Sequence, residues 1–393
     1  MFSKKFEYNT SENKISRLLT EKRNSGVKLY DLTESNPTKA GFEYEAVKIL
    51  ESVSGYGSLE YNPDPKGIPA ARKAVKEYYE SAGLKVSEEN IFLTSSTSEA
   101  YSFVFKLLTD SFDEILIPSP GYPLFSFIAE MESVTVKSYT LKYTDENGFG
   151  IDFDSIKRQL TPKTKAIIVV NPNNPTGNFL HKEDLTGLIS LCKANNIALI
   201  CDEVFLDFNI NTVGNNILSV VQADGALTFT LSGISKICAL PQMKLSWIVI
   251  NGPENIRDAA KSRLEIISDT YLSVGTPVQI GLSTLLEGRH HIQRQITERI
   301  ISNYEFLKSE FEKDKNISVL KTEGGWYSVL KINIKINEEK LAYDLLDKHN
   351  VYIHPGYFFD FEDEGYAVVS LLTKKDELKK GIHEIKNCLL KLL

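Results

Sequence analysis

TKAIIVVNPNNPTG (164–177), IALICDEV (197–204) and ALTFTLSGISK (226–236) decide the fold of this chain. Each opens with a short apolar run and ends in a polar or turn-forming cluster. Apolar runs of this length, bounded by such signals, read as strands buried on both faces. Between the first two lies EDLTGLISLCKANN (183–196), whose apolar residues recur at helical spacing. Strand, helix, strand in this order describes a parallel sheet with helices packed over it.

The same alternation extends outward. GIPAARKAVKEYYESAG (67–83) is an amphipathic helix with a terminating glycine, and NIFLT (90–94) is a short strand. SEAYSFVFKLLTDS (98–111) is a helix, EILIPSP (114–120) a strand ending in a proline turn, and TVKSYTL (135–141) another strand. KLSWIVING (244–252) completes the set. Beyond about residue 286 the pattern changes to a long charged helix (288–313), WYSVLKI (326–332), a helix near 338–348, VYIHP (351–355), YAVVSLL (366–372) and a last amphipathic helix. This suits a smaller α+β domain. The chain thus divides into an N-terminal segment (1–40) belonging to the small domain or to a subunit contact, a large α/β domain (41–285) and a small domain (286–393).

Composition excludes several classes. The 393 residues suffice for two cores, and a net charge of −7 with interspersed signs gives no footprint for nucleic acid. No stretch approaches the apolar length of a membrane span, and MFSKKFEYNT at the start does not read as a signal peptide. Cys192, Cys201, Cys238 and Cys388 are far apart, without metal-type spacing, and read as packing residues of a cytoplasmic protein. No metal site is expected.

In open parallel sheets, ligands bind beyond the carboxyl ends of strands. Here those ends deliver the Asn171–Gly177 turn, Asp202-Glu203 and Ser232-Gly-Ile-Ser-Lys236. An amide, a carboxylate and a lysine meet at one sheet edge. Separately they read as a turn, a helix cap and a surface charge; together they suit pyridoxal phosphate chemistry. Lys236 supplies an amine for the cofactor aldehyde, provided that burial or nearby charge keeps it neutral. Asp202 holds the pyridine nitrogen protonated. Asn174 donates to the phenolic oxygen.

The chain resembles the class I/II aminotransferases, of pyridoxal phosphate (PLP) fold type I, over nearly its whole length. The motifs are LTESNPT (32–38), Tyr61 with Gly67 and Arg72, TSSTSEA (94–100), PSPGYPLF (118–125), NPNNPTG (171–177), CDEVF (201–205), SGISK (232–236) and LPQMKLSW (240–247). PG (355–356) and SLLT (370–373) also match. The resemblance implies a mainly parallel, seven-stranded-type sheet between helices, with a smaller α+β domain. It implies a Schiff base between Lys236 and the cofactor, Tyr122 on the ring face, and Ser96, Thr97 and Ser98 around the phosphate, a helix N-terminus being a ready anion site. Ser235 and Lys244 join the phosphate, Phe205 lies beside the phenolic oxygen, and Ser35, Asn36 and Asn174 face the substrate. Tyr61 resembles the tyrosine that crosses from the partner subunit to the phosphate, which implies a homodimer with shared sites. An amino donor and a keto-acid acceptor are the implied substrates.

Four positions depart from the family pattern. Phe205 replaces a tyrosine, Gly233 a serine and Lys244 an arginine, so a hydroxyl contact and a bidentate phosphate clamp are missing. Val368 stands where most members carry the arginine that grips the substrate α-carboxylate. Lys331, Arg289 and Lys374 are candidate substitutes. These departures leave two further readings beside amino transfer: a PLP lyase or decarboxylase of the same fold, and a non-catalytic PLP-binding effector module.

Overall fold

A computed structural model of the chain describes residues 1–3, 5, 12–210 and 219–391. The N-terminal segment (1–40) and the final domain (286–393) are therefore described in part: residues 4, 6–11, 392 and 393 lie outside. The strands in chain order are β1 (Tyr30–Asp31), β2 (Ile91–Thr94), β3 (Glu114–Ser119), β4 (Thr135–Thr144), β5 (Gly148–Ile151), β6 (Thr164–Val170) and β7 (Ala198–Asp202). There follow β8 (Thr228–Gly233), β9 (Ser246–Asn251), β10 (Ile317–Val319), β11 (Tyr327–Ile332), β12 (Val351–Tyr352), β13 (His354–Pro355) and β14 (Tyr366–Ser370).

Eight of them form one sheet in the order β2-β9-β8-β7-β6-β3-β4-β5. β4, β3, β6, β7 and β8 pair in parallel, whereas β9 runs antiparallel to both of its neighbours. Both faces are dry. Ile168, Ile200, Phe229 and Ile248 point to the helices Thr97–Leu108 and Glu254–Tyr271, while Ile167, Val169 and Leu199 point the other way, towards Leu188 and Cys192 of the helix Lys182–Asn195. This two-sided burial is why the strands read as unbroken apolar runs.

The eighth strand, β5, pairs antiparallel with β4 at the sheet edge. Its sequence, GFGI, contains two glycines, which are poor strand formers, so only its pairing reveals it. All four cysteines are free and buried. No helix among the described residues is long and apolar enough to cross a membrane.

The second sheet is antiparallel, in the order β10-β11-β14-β13. The N-terminal segment is tied into this part of the molecule. β1 pairs in parallel with β12, and Leu32 donates to Tyr352 O (2.9 Å) and accepts from Ser370 N (2.7 Å). Residues 33–36 therefore leave β1 beside the end of β14. The loop between β13 and β14 is held by one carboxylate: Glu338, buried in the first turn of the helix Glu338–His349, accepts from Tyr357 N (2.7 Å), Gly365 N (3.1 Å) and Tyr366 N (3.0 Å).

Removing that carboxylate leaves three backbone donors without their acceptor, and hydrogen bonds to charged groups are worth about 1.5–3 kcal/mol each. Glu338→Ala is expected to cost about 3 kcal/mol in urea unfolding. A loss below about 0.5 kcal/mol, the scale of an ordinary surface substitution, contradicts this account of the loop.

Candidate active site

The strand ends converge as their sequences imply. β6, β7 and β8 are adjacent and parallel, so the turn after Val170, the Asp202 carboxylate and the Lys236 side chain share one edge of the sheet. Lys236 lies on the single helical turn Ile234–Ile237 that follows β8. The residue before this turn is Gly233 for a packing reason. A Cβ there would fall 2.2 Å from Ser246 Oγ of β9, so the serine common in relatives has no room.

Lys236 is held in an aromatic box. Its Nζ lies 5.0 Å from the centroid of the Trp326 ring and 5.6 Å from that of Phe205. Phe205 stands edge-on to Trp326 (5.2 Å) and Tyr327 (6.5 Å). Burial pushes the ammonium of Lys236 below its usual range, and the Asp202 charge opposes part of that shift. Desolvation is thus what makes this amine available as a nucleophile.

Asp202 ends β7 and is buried. Its Oδ1 accepts from Val204 N (3.1 Å) and its Oδ2 from the Tyr101 hydroxyl (3.2 Å). Burial raises its pKa to about 6, against the lowering effect of those two hydrogen bonds and of Lys236. Tyr101 lies one turn into the helix Thr97–Leu108, which brings that helix's N-terminus beside Asp202. There Ser96 Oγ caps Glu99 N (3.2 Å), and Thr97 and Ser98 begin the first turn with N–H groups that an intrahelical bond cannot satisfy.

The two central asparagines of the NPNNPTG turn have different duties. Asn173 donates to Pro120 O (3.1 Å) and Thr176 Oγ1 (2.7 Å), fixing the turn. Asn174 is buried with its Oδ1 unsatisfied, an acceptor left without a protein donor. Tyr122 is 41% exposed, stands edge-on to Phe125 and feels the Asp202 charge, which together with the larger effect of burial raises its pKa. Ser35 interacts with the Tyr327 hydroxyl. Asn36 accepts from Thr38 N (3.0 Å) and Thr38 Oγ1 (2.7 Å), which shapes the segment locally.

Ser235 is half-buried next to Lys236, Lys244 is exposed in a left-handed turn before β9, and Tyr61 is 82% exposed. Val368 is buried in an apolar cluster with Val329 and Phe359. Two of the three candidate substitutes for the missing arginine are engaged elsewhere, and the third, Lys374, is exposed. Lys331 lies 3.8 Å from the centroid of the Tyr366 ring and donates to Glu364 O. Arg289 donates to Leu286 O and Ser81 Oγ and covers the Tyr78 ring. Lys374 packs against Gly41.

Three site residues escape the sequence reading. Tyr101 was accessible through its helical spacing from Thr97. Trp326 and Tyr327 come from the distant GGWY run (324–327), and nothing local in that run predicts a wall for Lys236.

The mainly parallel sheet thus brings a lysine, an aspartate and an asparagine to its carboxyl edge. Comparison with known proteins specifies the family. A family model for aminotransferase class I and II matches residues 32–385. A glutamate-pyruvate aminotransferase of Haemophilus influenzae is 27% identical over 367 residues, covering 92% of this chain and 90% of the relative. An alanine aminotransferase of Mycobacterium tuberculosis is 24% identical, covering 93% and 86%. The solved alanine aminotransferase of Pyrococcus furiosus superposes with a TM-score of 0.88 at 23% identity, over 99% of this chain and all of that one. The chain belongs to the class I and II aminotransferase family and is an aminotransferase. Amino-group transfer thereby prevails over the lyase, decarboxylase and non-catalytic readings.

The raised pKa of Asp202 has a stability consequence in the cofactor-free protein. An aspartate ionises near 3.9 when unfolded and near 6 here, so its penalty is absent below about pH 4, grows to about pH 6 and is complete above. Cofactor-free Asp202→Asn is expected to gain on the wild type by roughly 2–3 kcal/mol at pH 7–8, the gap closing towards pH 4. A gap independent of pH in urea unfolding contradicts the burial argument.

Proposed function

We propose that the protein binds pyridoxal 5'-phosphate covalently through Lys236 and exchanges amino groups between α-amino acids and 2-oxo acids. The observation that carries this reading is the half-buried, desolvated Lys236 amine close enough to the buried Asp202 carboxylate for each to shift the other. The other residues fit the cofactor as well. The side-chain N–H group of the buried Asn174 would donate to its phenolic oxygen. The first turn at Ser96, Thr97 and Ser98 suits its phosphate, with Ser235 and Lys244 alongside. Phe205 and Trp326 supply apolar walls, and Tyr122 supplies a ring to lie against it. When bound, the cofactor acts as an electron sink for the carbanion character that develops at the substrate α-carbon.

The chain's own residues do the rest. Lys236 Nζ, whose neutral form burial favours, takes the proton from the substrate α-carbon and returns it on the other side of the exchange. Asp202 holds positive charge on the ring nitrogen. Burial raises its pKa, and a cation beside it favours its charged form. The aromatic box excludes water from the Lys236 amine. The names of the relatives, glutamate-pyruvate and alanine aminotransferase, support small α-amino acids and their oxo acids as the substrates.

The reading includes a homodimer. Val47, Leu50, Tyr56, Leu59 and Tyr61 are all exposed on the helix Ala46–Ser52, the turn Tyr56–Leu59 and the chain just after it. Clustered exposed apolar side chains of this kind mark an interface. In the dimer, Tyr61 reaches the phosphate of the neighbouring site. The division into segments 1–40, 41–285 and 286–393 is part of the same reading, supported by the separate eight-stranded and four-stranded sheets and by the pairing of β1 with β12. So is a cytoplasmic location, where four free thiols stay reduced.

Lys236→Ala is expected to lower turnover with L-alanine and 2-oxoglutarate by at least about 10³-fold, several kcal/mol of barrier, while circular dichroism stays native. Turnover within tenfold of wild type, or borohydride labelling of a different lysine in the native protein, contradicts the assignment. For the dimer, an inactive Tyr61 variant mixed with Lys236→Ala is expected to recover activity through hybrid sites. Strictly additive activities oppose it.

A further inference from the structure

The row of the small sheet that holds Val368 has another member. In β11-β14-β13, Val368 pairs directly with Val329 on one side and with His354 on the other. Residues directly opposite in antiparallel strands share a face. Val329, Val368 and His354 therefore line one face, and the next rung on that face is Tyr327 with Ser370. A ladder of rings links this row to the reactive lysine. Lys236 lies against Phe205, Phe205 is 6.5 Å from Tyr327, Tyr327 is 6.4 Å from Phe359, and Phe359 is 5.8 Å from His354.

A substrate carboxylate entering this wall is costly to bind without a hydrogen-bonding or cationic partner. Val329, Val368 and Phe359 supply neither. Lys331 is spent on Glu364 O and Arg289 on Leu286 O and Ser81, while Lys374 is exposed to solvent. His354 is half-buried, and its enclosing contacts are rings: Tyr352 and Phe358 at 5.6 Å, Phe359 at 5.8 Å. Among the described residues no hydrogen bond satisfies its ring nitrogens.

We propose that His354 is the specificity-determining group that receives the substrate carboxylate, from the row where the arginine is absent. The inference rests on the aminotransferase reading and deepens it. It also commits the site to a weaker anchor than a guanidinium, since one imidazole nitrogen replaces a bidentate pair.

The surroundings set how His354 responds to pH. Burial lowers its pKa to about 4, and the carboxylate of Asp31 in β1 opposes this. Asp31 is itself paired with Arg23 of the helix Lys14–Asn24 at 3.1 Å, and Tyr352 of β12 is a further titratable neighbour. The imidazole is therefore neutral in the free protein at neutral pH. A carboxylate bound against it favours the protonated form, so binding takes up a proton.

The test uses the cofactor-loaded protein and the variants His354→Phe and His354→Gln, with L-alanine as donor and isopropylamine as a donor that lacks the carboxylate. The ratio of kcat/KM for L-alanine to that for isopropylamine is expected to fall at least tenfold in His354→Phe, with the loss in KM rather than kcat. His354→Gln, which keeps an N–H donor, falls less. Calorimetric titration with pyruvate in buffers of different ionisation heat is expected to show proton uptake by the wild type and none by His354→Phe. An unchanged ratio in both variants overturns the proposal, and so does equal loss with both donors, which marks a structural role. A wild type that transaminates no donor removes the underlying reading instead, and the proposal with it.

Discussion

A charged group removed from water must be neutralised, paired or hydrogen-bonded, and the site at the carboxyl edge of β6, β7 and β8 depends on that constraint. Lys236 and Asp202 are both desolvated, and each is shifted towards its neutral form, the lysine downwards and the aspartate up to about 6. Each partly restrains the other. A neutral amine is the form that attacks an aldehyde, and a carboxylate lacking a cation is the form that holds a protonated ring nitrogen. Both shifts suit the proposed cofactor, a heterocycle that carries an aldehyde and a protonated ring nitrogen.

The fold creates this situation by topology. Adjacent parallel strands start and stop together, so three residues far apart in sequence arrive at one edge. Helix Thr97–Leu108 crosses behind them and uses Tyr101 to anchor Asp202. The small sheet closes the opposite side through Trp326 and Tyr327. The N-terminal segment enters between β12 and β14 and brings Ser35 against Tyr327. The core packing is in this sense a device for holding a lysine and an aspartate partly dry.

Much of this was legible in the chain. Strands buried on both faces announce themselves by apolar continuity, and the turn, Asp-Glu and lysine clusters fall at their ends. β5 was not legible because its two glycines carry no strand preference and its stability comes from pairing with β4. Trp326 and Tyr327 were not, because they reach Lys236 across more than 80 residues of chain by tertiary packing. The glycine at 233 looked like a lost serine contact; the structure gives its reason as the close approach of Ser246. The replacement of arginine by Val368 was visible, but the residue beside it was not. Only the β13-β14 register sets His354 against Val368, since 14 positions separate them in sequence.

The most direct test of the central claim is a crystal structure of the protein grown with pyridoxal 5'-phosphate. The account predicts continuous density from Lys236 Nζ to the cofactor, the ring nitrogen in hydrogen-bonding distance of Asp202, and the phosphate at the N-terminus of the helix Thr97–Leu108. Density joined to another lysine, or a ring nitrogen turned away from Asp202, contradicts it.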